Sequence, residues 1–119
     1  EYCLMKASNP FQKELEIQWE NVGEGIARQM FGFNDELMMV KVKFEKGAIG
    51  ALHQHIHTQA SYVESGVFEI TIDGEKRIIK QGDGFFVAPN LWHGAIALEA
   101  GILIDVFNPQ RADFLNQKS

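Results

Sequence analysis

A single cysteine, Cys3, leaves this chain with no internal disulfide, so its stability must come from packing or from a bound metal. Such sparing use of cysteine is the habit of a reducing compartment, and a cytoplasmic location is the expectation. No apolar run approaches the roughly 20 residues needed for a membrane-spanning helix, and the stretch from Glu1 to Lys6 lacks the apolar segment of a secretion signal. Neither membrane spanning nor secretion is expected. Positive charge is also short, with 11 Lys and Arg against 16 Asp and Glu and a formal net charge of −5. The basic residues are scattered, which excludes the clustered Lys and Arg that displace counterions from a nucleic acid backbone. Proline is rare, at three, and glycine plentiful, at 11, a balance that suits many tight turns between short strands. No internal repeat, low-complexity segment or second-domain linker interrupts the chain.

What is present is a rhythm. At 119 residues the length fits one domain around one core. Residues 1–24 read as an N-terminal arm, whose alternating Leu15-Glu16-Ile17-Gln18-Trp19-Glu20 predicts a half-buried edge strand. From Gly25 onward short apolar runs recur between turn signals: Ile26–Phe31, Leu37–Phe44, Ala51–His55, Gln59–Gly66, Val67–Ile72, Lys76–Ile79, Phe85–Ala88, Gly94–Leu98 and Ile102–Phe107. This spacing predicts an all-β sandwich or barrel over 25–119. The sharpest local signal is Phe68-Glu69-Ile70-Thr71-Ile72 running into Asp73-Gly74, a pair that accepts both positive φ angles of a two-residue hairpin. Only Pro109–Gln117 offers a short helix.

Three of the four histidines fall at 53, 55 and 57, with Gln59 following and His93 far downstream. On a strand, positions i and i+2 share a face, and a rise of roughly 3.3 Å per residue lets His53 and His55 converge on one ion. Gln59 can join them only if residues 56–58 turn the chain back. His57 then sits at the tip of that turn, where its side chain can point to solvent, into the pocket or toward a metal. A fourth donor must come from a distant strand, and His93 can supply it. The result is a candidate shell of His53, His55, Gln59 and His93 for one divalent transition metal ion, with Zn, Ni, Co, Mn and Fe all suited to such donors. Spacing alone is equally compatible with histidines that decorate an exposed strand.

The longer pattern decides for the metal. Gly47, five residues, His53-Gln54-His55, three residues, Gln59, six residues and Gly66 resemble the first motif of the cupin family, and Gly82-Asp83, Pro89 and His93 resemble its second. The resemblance implies a single-domain cupin, a double-stranded β-helix or jelly-roll barrel with a short C-terminal helical turn. Most metal-binding cupins carry Glu where this chain has Gln59, and Glu64 does not replace it, because strand parity puts Glu64 on the opposite face with Ala60 and Tyr62. In the last predicted strand, Asp105 shares a face with Phe107 amid apolar neighbours. A buried carboxylate needs justification, so Asp105 is either paired, as with Arg111, or lines a polar interior near the metal.

Gly50–Gly66 and the segment from Asp105 to Phe114 are similar to a narrower group, the small cupins of the KdgF or pectin degradation family. The likeness runs from about Gly25 to Phe114, with Glu64 and Ser65 departing from it. It implies linearisation of 4,5-unsaturated monouronates, released from pectin or alginate, to open-chain keto acids at a three-His, one-Gln metal site. It also implies catalytic roles for Asp105 and Arg111, substrate contacts from Phe107 and Arg111, and a homodimer acting on a small acidic sugar. Four neutral ligands would leave the ion its full charge, which suits an anionic substrate and Lewis-acid chemistry. Two other readings are a non-catalytic cupin that binds a small acidic or sugar ligand, and a metal-dependent dioxygenase. Gln59 counts against the dioxygenase, whose iron is commonly balanced by a carboxylate.

Overall fold

In the computed structural model, which describes residues 7–115, the chain makes eight strands: β1 (Glu20–Gly23), β2 (Ile26–Phe33), β3 (Met38–Phe44), β4 (Ile49–His53), β5 (Thr58–Ile72), β6 (Glu75–Lys80), β7 (Gly84–Val87) and β8 (His93–Asn108). A single 3₁₀ turn at Glu14–Glu16 precedes them, and one helical turn, α1 (Ala112–Leu115), follows. Cys3 and residues 116–117 of the predicted helical segment lie outside the described residues. Asp73 and Gly74 take φ of 50° and 83°, the left-handed values of a two-residue hairpin, and join β5 to β6 as their sequence predicts. Among the described residues no helix is long and apolar enough to cross a membrane.

The fold depends on β5 and β8, which pair antiparallel along their whole length. Each was expected as two short strands. Instead each runs on through an irregular stretch and serves two layers. Residues 59–62 of β5 pair with β7, while residues 67–72 pair with β6. The later half of β8 pairs with β3 and its earlier half with β4. The register shifts between Val63 and Phe68, and there the inward positions change from Gln59, Ser61 and Val63 to Phe68 and Ile70. The two backbones meet closely at this crossing. A Cβ on Gly101 would lie 2.2 Å from the Ser65 carbonyl oxygen, a contact only glycine avoids.

Between the layers, Phe44, Ala48, Val63, Phe68, Ile70, Ala97 and Leu103 form one apolar cluster. Phe44 and Phe68 meet edge to face with centroids 5.2 Å apart, the arrangement their ring quadrupoles favour. Burying a side chain the size of Phe68, 0% exposed, contributes about 1.5–3 kcal/mol. A second cluster of Met38, Val40 and Phe107 takes Phe114 and Leu115 of α1 against it. A helix of one turn has no stability of its own, so these two side chains hold it in place.

The arm corrects one expectation. Its edge strand begins at Glu20, and Leu15 sits in the 3₁₀ turn, 96% exposed. The cause lies on β2, where the buried Gln29 side-chain amide donates to the carbonyls of Glu14, at 3.1 Å, and Ile17, at 2.8 Å. A side chain thus takes the backbone acceptors that a strand would have offered to a neighbour.

Candidate metal centre

Cross-strand pairing sets His53, at the end of β4, directly opposite His93, at the start of β8. Their rings lie 4.3 Å apart, and the His55 ring, in the connection to β5, lies 4.7 Å from that of His93. One ring nitrogen from each of the three falls within 4.8 Å of the others. The opposite nitrogens are tied back: Nδ1 of His53 to the Ala51 carbonyl at 2.9 Å, of His55 to the His57 carbonyl at 3.1 Å, and of His93 to the Leu91 carbonyl at 2.9 Å. A carbonyl can only accept, so each Nδ1 carries a hydrogen, and in the neutral ring Nε2 keeps its lone pair. This is how metal-binding imidazoles are oriented.

Two observations test the fit of a cation. His93 Nε2 is buried without a hydrogen-bond partner, an expense that coordination would remove. Gln59 Oε1 lies 3.0 Å from His55 Nε2, two lone-pair atoms facing each other where only a proton or a cation could reconcile them. The Gln59 amide is fixed in this sense because its Nε2 donates to Ser61 Oγ at 3.0 Å. Burial lowers the pKa of His55, and lowers that of His93 to about 4, with neighbouring His53 and Arg111 adding repulsion. Both rings are therefore neutral and able to ligate at ordinary pH. His53, His55 and His93 together can hold a metal ion.

Ser61 is a residue the sequence reading missed. It accepts from Gln59 and donates to Asp105 Oδ1 at 2.6 Å, linking the candidate ligand to the half-buried carboxyl. Parity could have found it, since Ser61 lies two residues from Gln59 on the same face. Desolvation pushes the Asp105 pKa up to about 6, against the opposing pull of the Ser61 hydroxyl and the Arg111 charge. Of the two settings foreseen for Asp105, the structure takes the polar interior: Arg111 pairs with Asp113 through Nε at 3.1 Å and Nη2 at 2.8 Å. Asp105, Phe107 and Arg111 nevertheless line one cavity of about 140 Å³ with His53, Gln59 and His93, a space for a single small molecule. The Arg111 guanidinium lies 5.2 Å from the Phe107 ring centroid.

His57 stands outside the three-imidazole group. Its ring lies 5.4 Å from that of His55, but its nitrogens do not join the converging set, and its carbonyl orients His55. Glu64 is exposed on the outer face, as parity predicts.

Three converging imidazoles between the layers of a jelly roll make a cupin with a candidate metal site, and the "Cupin domain" family model matches residues 40–107. The pectin degradation protein KdgF of Dickeya dadantii is 53% identical over 102 residues, covering 84% of this chain and 93% of the relative. The chain belongs to the cupin family and, within it, to the KdgF group. The solved structure of KdgF from Halomonas sp. superposes with a TM-score of 0.87 at 42% identity, covering 91% of this chain and 100% of that one. An RmlC-like cupin from Shewanella frigidimarina superposes with a TM-score of 0.91 at 47% identity, covering 92% and 99%.

Proposed function

We propose that this protein converts 4,5-unsaturated monouronates from pectin or alginate breakdown to linear keto acids by ring opening and tautomerisation. The observation that carries the reading is the half-buried carboxyl of Asp105, pushed up to about 6, in one cavity with His53, His93 and Arg111. His53, His55, Gln59 and His93 would hold a divalent transition metal. When bound, such an ion supplies Lewis-acid stabilisation of negative charge developing on the substrate oxygens.

The reaction moves protons without net gain or loss. As the bond from the ring oxygen to the anomeric carbon breaks, the anomeric hydroxyl loses its proton and becomes a carbonyl. The ring oxygen becomes an enol beside the carboxylate, and this enol gives up its own proton while its alkene carbon gains one. A carboxyl titrating near neutrality can both accept and return a proton, and Asp105 takes this part. Arg111 grips the substrate carboxylate, whose planar shape matches a guanidinium edge, and Phe107 forms the apolar wall against the ring.

The decisive assay follows loss of the conjugated-alkene ultraviolet absorbance of unsaturated galacturonate or guluronate with metal-loaded protein. Accelerated loss without oxygen is the expected result. No acceleration, with the sugar still bound, would make the protein a binder of acidic sugars. The reading includes a homodimer, supported by exposed Tyr62, Phe86 and Met39 on the outer sheet face, and sedimentation at micromolar concentration would reveal it.

A further inference from the structure

Arg28 stands on β2, away from the imidazoles, and is 6% exposed. Burying a guanidinium is costly unless its charge is met. Glu20, its cross-strand partner on β1, accepts from Nε at 3.0 Å. The guanidinium carbon also lies 3.8 Å from the centroid of the Phe114 ring. That same ring takes a second guanidinium, from Arg111, at 4.3 Å. Two cations on one ring repel each other, and each is balanced by its own carboxylate, Glu20 on one and Asp113 on the other. The groups thus form a charge-balanced row from Glu20 through Arg28, Phe114 and Arg111 to Asp113.

The row ends at the cavity. Asp113 takes the Nε and Nη2 side of Arg111, which leaves the end of the fork, Nη1 with the second hydrogen of Nη2, to receive another planar anion. Phe107 and Phe114 fix the plane of that fork. We propose that Arg28 is a positioning residue: by fixing the Phe114 ring it sets the plane in which Arg111 presents its free edge to the substrate carboxylate. This rests on the reading of Arg111 as the carboxylate grip. Asp113 and Phe114 of α1 hold Arg111, but a single turn has no rigidity of its own, so the support for them must come from the barrel wall.

The test uses the metal-loaded, full-length protein. Calorimetry gives Kd for D-galacturonate, and kinetics on unsaturated galacturonate separates KM from kcat. Arg28→Met should weaken galacturonate binding and raise KM by about fivefold, the lower end of what one cation–π contact contributes, with a smaller change in kcat and full metal content. Arg28→Lys, which keeps a cation over the ring, should recover most of the loss. In an Arg111→Met background, Arg28→Met should add nothing, because the two act as one unit. If Arg28→Met fails to fold, Arg28→Gln, which keeps a polar end beside Glu20 but no cation over the ring, should give the same shift. Unchanged Kd and KM with only a lower Tm would make Arg28 structural and overturn the proposal. If Arg111→Met itself left Kd and KM unchanged, the carboxylate grip would fall, and this proposal with it.

Discussion

Ser61 stands opposite Asp105 on the ladder between β5 and β8, and one inward step along it Val63 stands opposite Leu103. The first pair is a hydrogen-bonded hydroxyl and carboxyl in the cavity; the second is sealed in the apolar cluster. The backbone is the same in both places and the separation is two residues, about 7 Å. What differs is how burial is compensated. Val63 and Leu103 gain by leaving water, whereas Ser61 and Asp105 are retained at some cost to stability. Site and core are thus adjacent rungs of one ladder, distinguished by side-chain chemistry alone.

Substitutions on either side of that boundary should separate function from folding. The largest effect is expected at His93→Ala, which removes the buried donor and should strip most bound divalent metal. Elemental analysis of purified protein measures this, and His57→Ala, outside the imidazole group, should keep its metal. Full metal content in His93→Ala would end the proposed centre.

Next comes Asp105→Asn, expected to keep its metal while turnover falls by about 100- to 10,000-fold, the range for loss of a positioned acid or base. Its stability should move the other way. Folding raises the Asp105 pKa from 3.8 to about 6, so the folded state holds that proton more tightly and metal-free protein loses stability as pH rises through this window. Asparagine, always neutral, escapes the loss. Above pH 6 the metal-free variant should be more stable than its parent, by up to about 3 kcal/mol. Denaturant titrations at acid and neutral pH would show the gap opening, and a variant that unfolds earlier while remaining active would return Asp105 to a structural role.

Phe68→Ala, on the apolar side, should cost about 3–5 kcal/mol in unfolding free energy while leaving metal affinity intact in whatever fraction stays folded. A metal defect as large as that of His93→Ala would erase the boundary. Smallest is Ser61→Ala, which frees the Gln59 amide to rotate. Its metal affinity should weaken by about 10- to 100-fold, as for other residues that orient a ligand, and Ser61→Thr should restore it. Unaltered affinity in Ser61→Ala would mean that Gln59 needs no anchor or donates nothing to the ion.

Period-two parity made much of this legible from sequence. It set Glu64 outside, aligned Asp105 with Phe107, and with Asp73-Gly74 gave the hairpin. The convergence of His53, His55 and His93 could be foreseen from the cupin spacing, since the motif fixes which strand ends meet. Parity fails where strands bend. The shift between Val63 and Phe68 is a property of two crossing backbones, and neither strand alone announces it. The arm misled because Leu15–Glu20 alternates like a strand while Gln29, on β2, takes its carbonyls. The partner of Arg111 was equally hidden: Asp113 lies two residues away, and only the fold of the C-terminal turn selects it over Asp105.

The candidate donors come from the end of β4, the connection that follows it, β5 and β8. A metal held there would tie together stretches as distant in sequence as His53 and His93, much as a disulfide would, in a chain with one cysteine. Unlike a disulfide, this clasp obeys mass action. Binding to the folded state alone would add about 2.7 kcal/mol at a free metal concentration 100 times Kd, and progressively less as the metal is withdrawn. The resistance of the protein to unfolding would then be set partly outside the molecule, by the metal its surroundings supply.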